Sequence, residues 1–387
     1  MKEKMIQMFT KVYGNNNDIR VFFSPGRVNL IGEHTDYNGG NVFPCALSFG
    51  TYGAIKLRDD KLVRMYSKNF DDLGVINFNI DNLKNEEKHD WANYPKGVID
   101  ILRKHGYDIN FGFDMVVFGN IPNGSGLSSS ASIELLMGVM IDELFNFNID
   151  RVDLVKLAQE AENKFIGVNC GIMDQFAIGM GRKNSAILLD CNTLNYIYTP
   201  IDLTKEVIII ANTNKRRGLA DSKYNERRNE CETALKELKT KLDITSLGEL
   251  SEDEFENNKY LIKDDTRVKR ARHAVYENQR TLKAVKALQN KDIYKFGKLM
   301  NDSHISLKND YEVTGIELDT LVELALKHEA TIGSRMTGAG FGGCTVSIVK
   351  RELSEDFIKK VGKGYKELIG YDADFYTANI GNGTREL

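Results

Sequence analysis

Between residues 120 and 131 the chain reads Asn120-Ile121-Pro122-Asn123-Gly124-Ser125-Gly126-Leu127-Ser128-Ser129-Ser130-Ala131. A β-branched and aromatic stretch, Phe113–Phe118, precedes it and reads as a strand. The residues after it, Ser128–Phe145, place Ile133, Leu136, Met140 and Leu144 at helical spacing. A strand must therefore turn through two glycines into a helix whose first residues are serines. Glycine lets the backbone approach a ligand closely, and the free N–H groups of a helix start, with the positive dipole end, receive anions. No Gly-Lys-Ser/Thr follows, so this is not a Walker A loop. A plain turn with a serine N-cap accounts for one serine and leaves the Gly-Ser-Gly-Leu-Ser-Ser-Ser cluster unexplained. The loop reads as a phosphate cradle.

The other elements do not alternate regularly. Arg20–Phe23, Tyr52–Leu57, Ser185–Asp190, Glu206–Ala211 and Cys344–Lys350 read as strands, and Arg151–Phe165, Arg227–Thr240 and Asp265–Gln289 as helices. This mixture predicts an α+β architecture rather than a doubly wound sheet. At about 150 residues per domain, 387 residues suggest two domains or three. Composition hints at a boundary near Cys191–Leu203, giving lobes 1–195 and 196–387. With five prolines and no flexible linker, the lobes are expected to pack directly.

Charge and cysteine usage exclude several classes. Lys plus Arg is 52 against 55 Asp plus Glu, a net charge of −3, which lacks the basic footprint of a nucleic-acid or anionic-membrane binder. The longest apolar runs, such as Leu135–Ile141, fall far short of the ~18 residues of a membrane span, and residues 1–11 do not read as a secretory signal. Five scattered cysteines without a Cys-x-x-Cys pair indicate neither a disulfide framework nor a zinc knuckle. A reducing cytoplasm is the expected compartment.

Several residues stand out as candidate chemistry. In the helix 151–165, Glu160 has lysines four residues to either side and reads as a solvated ion pair. Glu162 instead shares a face with Val155 and Ala158, where an unpartnered carboxylate is costly. An Arg, a helix N-terminus or a nucleotide-borne magnesium would each satisfy it. Ser24–Gly40 follows the first strand and concentrates Glu33, His34, Thr35, Asp36 and Tyr37 between glycines. Such groups suit a polyhydroxylated ligand as well as an ordinary surface turn. Asp174, in Asn169–Phe176, is either a satisfied core carboxylate or a catalytic one. Cys170 reads as a small core residue. Five glycines within Gly333–Gly343 imply backbone held close to a ligand or another loop. The short basic pieces Lys215-Arg216-Arg217 and Arg227-Arg228 suit a solvated face or one anionic contact.

Together these motifs resemble the galactokinase family, within the superfamily of homoserine, mevalonate and phosphomevalonate kinases. Gly26–Gly40 is similar to the galactokinase signature, Pro122–Ala131 and Gly333–Gly343 to the second and third superfamily motifs, and Gly171–Phe176 to the family's aspartate segment. Ser303–Leu307 and Asp310–Thr314 resemble a further galactokinase segment. The likeness runs from about residue 20 to the C-terminus, with Ser24 and Ser125 standing where other small residues are commoner.

The resemblance implies an N-terminal lobe like the second domain of ribosomal protein S5, a ferredoxin-like C-terminal lobe, and a cleft between them. It implies ATP-dependent phosphorylation of the anomeric hydroxyl of α-D-galactose. By position, Asp174 matches the catalytic base and Arg27 the transition-state stabiliser. Glu33, His34, Thr35, Asp36, Gly171 and Tyr224 match the sugar site. Gly124, Ser125, Gly126, Leu127, Ser128, Ser129 and Ser130 match the ATP phosphate loop, and Ser67 and Trp91 the nucleoside surroundings. Ser130 and Glu162 match the Mg2+ ligands. A kinase for N-acetylgalactosamine or galacturonate, and a non-catalytic regulator that binds galactose and ATP, are the alternatives. The intact serine loop, Asp174 and Arg27 favour an active kinase. A monomer with small-molecule partners only, no nucleic acid and no membrane, is the expectation.

Overall fold

The structure, a computed structural model, describes residues 1–14, 17–122, 126–215 and 220–387. Among them are the strands β1 (Arg20–Asn29), β2 (Asn41–Val42), β3 (Pro44–Leu57), β4 (Leu62–Ser67), β5 (Val75–Asn79), β6 (Phe113–Gly119), β7 (Ser185–Asp190), β8 (Tyr196–Pro200), β9 (Glu206–Asn212), β10 (Thr331–Thr337), β11 (Cys344–Lys350), β12 (Asp374–Ala378) and β13 (Arg385–Glu386). They form three sheets, ordered β13-β1-β3-β6-β4-β5, β2-β7-β8 and β10-β11-β9-β12. Among the described residues only the β4–β6 pairing is parallel. The fold is α+β, as the irregular alternation predicts. In chain order the last sheet reads 2-3-1-4, the arrangement of a split βαβ unit.

β9 shows why the sheet can be buried on both faces. Its run Val-Ile-Ile-Ile-Ala has no polar face. Ile208 and Ile210 pack with Phe296 and Met300 of the helix Ile293–Ser306. Val207, Ile209 and Ala211 pack against Leu321 and Phe357 from the helices Gly315–Leu326 and Ser354–Ile369. The first of these clusters also holds Val28, Leu30, Phe43 and Leu47 from the first 50 residues. The two ends of the chain thus share a core, and β13 pairs with β1 through Phe22 and Glu386. Among the described residues no helix is long and apolar enough to cross a membrane.

Three sequence expectations are corrected. The first strand does not end at Phe23: it continues to Asn29, with the register shifting between Pro25 and Arg27. A bulge is where a sheet tolerates proline, and Arg27 consequently sits on a strand rather than in a loop. The helix that begins at Arg151 is α-helical only to Ala161; Glu162–Ile166 form a π turn. The third glycine segment is not one loop. Its first half is β10, where Gly333 lies against Gly297 of the helix Ile293–Ser306 so closely that a Cβ would clash.

Candidate active site

Arg27 stands where the bulged β1 meets the glycine–serine loop. Its guanidinium grips Asp174 with two hydrogen bonds, Nε to Oδ1 and Nη2 to Oδ2, each 2.8 Å. Nη1 donates to the Gly126 carbonyl at 2.7 Å, and the Arg27 N–H donates to the Leu127 carbonyl at 3.2 Å. Asp174 occupies the first turn of the helix Met173–Met180. Its Oδ2 also accepts from the Ser128 hydroxyl. A carboxylate offers about four lone-pair sites; these three donors leave one, on Oδ1. The carboxylate is 30% exposed while Arg27 is 6% exposed, so the carboxylate keeps access to solvent beside a buried guanidinium.

The helix after the loop begins at Ser129. Ser128 precedes it in the left-handed region, φ 63° and ψ 54°, and makes no side-chain cap. The plain serine cap is thus absent at Ser128, whose hydroxyl is taken by Asp174. Leu127 is buried in the shared core, and Gly126 adopts φ 73°. Gly124 and Ser125 lie outside the described residues. Ser129 and Ser130 face a cavity of 190 Å3 that Ser67, Asp90 and Trp91 also line. Ser67 caps the turn after β4, accepting from the Asn69 N–H at 3.3 Å.

On the other side of Asp174 lies the Glu33–Tyr37 loop. A Cβ on Gly171 would overlap the Asp36 carboxylate, so glycine is required for this approach. Burial, with Asp174 as a neighbouring like charge, pushes the Asp36 pKa up to about 7. His34 adopts φ 61° and sits among Tyr37, Tyr224 and Tyr311, with ring centroids 5.8, 5.7 and 4.8 Å away. Burial and then His273 push its pKa down to about 3, so it is neutral. Thr35 turns inward: its hydroxyl shares one proton between the Gly32 and Asn41 carbonyls, 2.9 and 2.7 Å away, and ties the loop shut. Glu33 Oε1 accepts from Gly338 N–H at 2.8 Å, Thr337 Oγ1 at 2.9 Å and Arg335 Nη1 at 3.4 Å. The first motif is thereby fastened to the third.

Glu162 is buried, as its helical face predicts, and hydrogen bonds to Ser130. Its Oε2 accepts from Gln175 Nε2 at 2.6 Å, and the same amide donates to Glu134 Oε2 at 3.1 Å. Burial, and then the nearby Asp174 charge, raises the Glu162 pKa. Burial, and then Glu162, drives that of Glu134 well up. Glu160 pairs with Lys164 at 2.9 Å and His105 at 3.0 Å, while Lys156 turns to Asp153 instead.

Residue-by-residue reading missed Glu134, Gln175, Arg335 and Glu277. Glu134 had a signal, since it is a carboxylate between Ile133 and Leu135 in an apolar helix. Glu277 had little: it holds Gly32 N–H at 2.9 Å and Ser303 Oγ at 2.5 Å from across the chain. The basic pieces are structural where described. Lys215 pairs with Glu317 at 2.9 Å, and Arg227 donates to the Tyr311 carbonyl at 2.7 Å. Arg216 and Arg217 lie outside the described residues.

Comparison with known proteins agrees with this geometry. Residues 7–57 match the galactokinase galactose-binding signature, 93–182 the GHMP kinases N terminal domain and 284–367 the GHMP kinases C terminal domain. The galactokinase of Clostridium beijerinckii is 64% identical over 379 residues, 98% of this chain and 97% of that protein. That of Clostridium acetobutylicum is 62% identical over 387 residues, covering 100% and 98%. A Lactococcus lactis galactokinase solved with galactose superimposes with a TM-score of 0.97 at 54% identity over 100% of both chains. A Methanococcus jannaschii mevalonate kinase shares the fold, with a TM-score of 0.66 at 20% identity over 95% of this chain and 100% of its own. Full-length identity of this order, joined to the signature over residues 7–57, shows that the chain belongs to the galactokinase family of GHMP kinases.

Proposed function

We propose that this chain transfers the terminal phosphoryl group of ATP to the anomeric hydroxyl of α-D-galactose, giving galactose 1-phosphate and ADP. The observation that carries the reading is the Arg27–Asp174 pair, wedged between the Asp36 loop and the Gly126–Ser130 loop. A hydroxyl held by Asp174 has a phosphate-binding helix start directly beside it.

Glu33, His34, Asp36, Gly171 and Tyr224 form the sugar side in this reading. Ser129 and Ser130, with the helix N–H groups behind them, receive the phosphates. Ser67 and Trp91 border the nucleoside. Asp174 orients the anomeric hydroxyl through its remaining lone pair and accepts its proton. The guanidinium of Arg27 keeps that carboxylate fixed and adds positive charge beside the transferring group. A loose phosphoryl-transfer transition state asks mainly for such positioning and neutralisation.

Ser130 and Glu162 would hold a nucleotide-borne Mg2+. Their hard oxygen donors suit it, and neither Glu162 nor Glu134 has a lysine or arginine partner among the described residues. When bound, the ion neutralises phosphate oxygens. The chain forms two lobes in this reading, but a boundary at 195 would cut β8 from β7. The β7–β8 hairpin supports a junction just after Pro200, with β13 returning to the first lobe. On the same reading the protein works in the cytoplasm as a monomer, which suits its free cysteines.

A coupled ADP-release assay with galactose, N-acetylgalactosamine and galacturonate tests the reaction. Turnover of galactose well above the other two is expected. Preference for either of the others, or binding of galactose without ADP release, would overturn it.

The raised Asp36 pKa gives a pH prediction. The folded pKa of about 7 lies above the unfolded value near 3.9. Asp36 therefore contributes stability to the free protein that is present below about pH 4 and lost as pH rises to 7. Sugar hydroxyls need the ionised form as acceptor. The kcat/KM for galactose should thus climb through about pH 7, and Asp36→Asn should abolish that limb. The variant should raise the KM for galactose strongly and leave that for ATP nearly unchanged. A pH profile that keeps the limb would remove Asp36 from sugar recognition.

A further inference from the structure

Lys96 occupies the first turn of the helix Asn93–Lys104, where the helix dipole disfavours a cation. Its side chain is 0% exposed. Burying an ammonium is costly unless its hydrogens are matched, and here all three have acceptors nearby. Nζ donates to the Lys84 carbonyl at 2.8 Å and to His89 Nδ1 at 2.6 Å, and lies 3.7 Å from Glu86 Oε1. The ring of Phe78 lies below it, 4.9 Å from Nζ to the centroid. Lysine has no acceptor, so His89 must be neutral with its proton on Nε2. Burial, followed by Lys96 itself, lowers the His89 pKa, in keeping with that form.

All three acceptors belong to one short segment, residues 84–89. The next residue, Asp90, is strained, with φ 40° and ψ −118°. Such backbone persists only where its surroundings over-determine it. Asp90 and Trp91 then line the cavity beside Ser129 and Ser130. Trp91 is 7% exposed, and its indole N–H has no acceptor among the described residues. Asn93 closes the same segment from the helix, exchanging hydrogen bonds of 3.1 and 2.8 Å with the Glu86 backbone.

We infer that Lys96 is a positioning residue for nucleotide binding: its buried ammonium holds segment 84–89 so that Asp90 and Trp91 form the wall of the cavity beside Ser130. This rests on reading that cavity as the nucleoside site. The bland alternative is a lysine that only stabilises the fold, which would lower the amount of folded enzyme and leave both Michaelis constants alone.

Trp91 is the sole tryptophan, so intrinsic fluorescence reports on this wall directly. The probe is ADP, titrated into wild type, Lys96→Met, His89→Leu and His89→Asn. Asparagine Oδ1 can replace Nδ1 as the acceptor; leucine cannot. Lys96→Met and His89→Leu should each raise the KM for ATP at least ~10-fold with the KM for galactose within about twofold, a split that a purely structural loss does not give. Their Trp91 emission should move to longer wavelength, and His89→Asn should restore both readouts. If Lys96→Met does not fold, the leucine–asparagine pair at position 89 still decides. Equal behaviour of that pair, or an unchanged ATP constant with unchanged emission, overturns the inference. A wild-type emission that ignores saturating ADP is a separate result: it removes the nucleoside reading, and the role of Lys96 with it.

Discussion

Asp174→Asn is expected to lower kcat by at least ~100-fold, the range for a general base or a charge stabiliser, while the folded protein still binds galactose and ATP by calorimetry. The amide keeps the size of the carboxylate and can still accept from Arg27 Nε. It cannot take a proton, and its NH2 group turns a donor toward Nη2. Some stability is lost in that mismatch, and more in Arg27→Ala, which also frees the Gly126 carbonyl. A fully buried pair would lose ~3–5 kcal/mol on removal of one partner. Asp174 is 30% exposed, so the loss should fall below that range, and a melting curve measures it. The Arg27→Ala, Asp174→Asn double variant should lose less activity than the two singles combined, since each group acts through the other. A single variant that melts far below wild type, with full activity in its folded fraction, would make the pair a core ion pair and nothing more.

What could be read in the sequence was local. Ser185–Asp190, Cys344–Lys350 and Asp265–Gln289 have the bounds that periodicity predicts, because β-branched runs and helical stripes mark their own ends. The errors fall where a distant residue decides. Pro25 and Gly26 look like strand breakers, yet β3 pairs along both sides of the bulge and carries β1 on to Asn29. Gly333 looks like loop, yet it is a strand residue made small by Gly297. Ser128 looks like an N-cap, yet its hydroxyl bonds to Asp174, 46 residues away. The same distinction divides the candidate site. Glu162 announces itself by its helical face. Glu33 announces only its charge. That its Oε1 is held by Thr337 and Gly338 depends on a contact across some 300 residues that no spacing rule encodes. Thr35 shows the converse: it lies inside the signature, yet it serves the loop rather than the cleft.

The acidic cluster behind the phosphate loop gives a prediction in which stability and activity move in opposite directions. Glu162→Gln should melt at or above the wild-type temperature without magnesium, yet require at least ~10-fold more magnesium for half-maximal turnover and lose kcat by ~100-fold. The reason lies in the charge balance. Burial and the Asp174 charge raise the folded pKa of Glu162 above an unfolded value near 4.3. Its contribution to stability is therefore present below that pH and lost as pH rises through the folded value, so the carboxyl burdens the metal-free fold at higher pH. Glutamine removes the burden, and its carbonyl can still accept from Ser130 or Gln175. It also removes the negative charge that a hard dication needs. The readout independent of turnover is the melting temperature with ADP: added magnesium should raise it for wild type and hardly at all for Glu162→Gln. Glu160→Gln, on an exposed pair with Lys164, is worth about 0–1 kcal/mol and should leave both readouts alone. Equal losses from the two variants would place the cation elsewhere, whereas a lower melting temperature for Glu162→Gln without magnesium would mean that the cluster is held together by hydrogen bonds that already offset its charge.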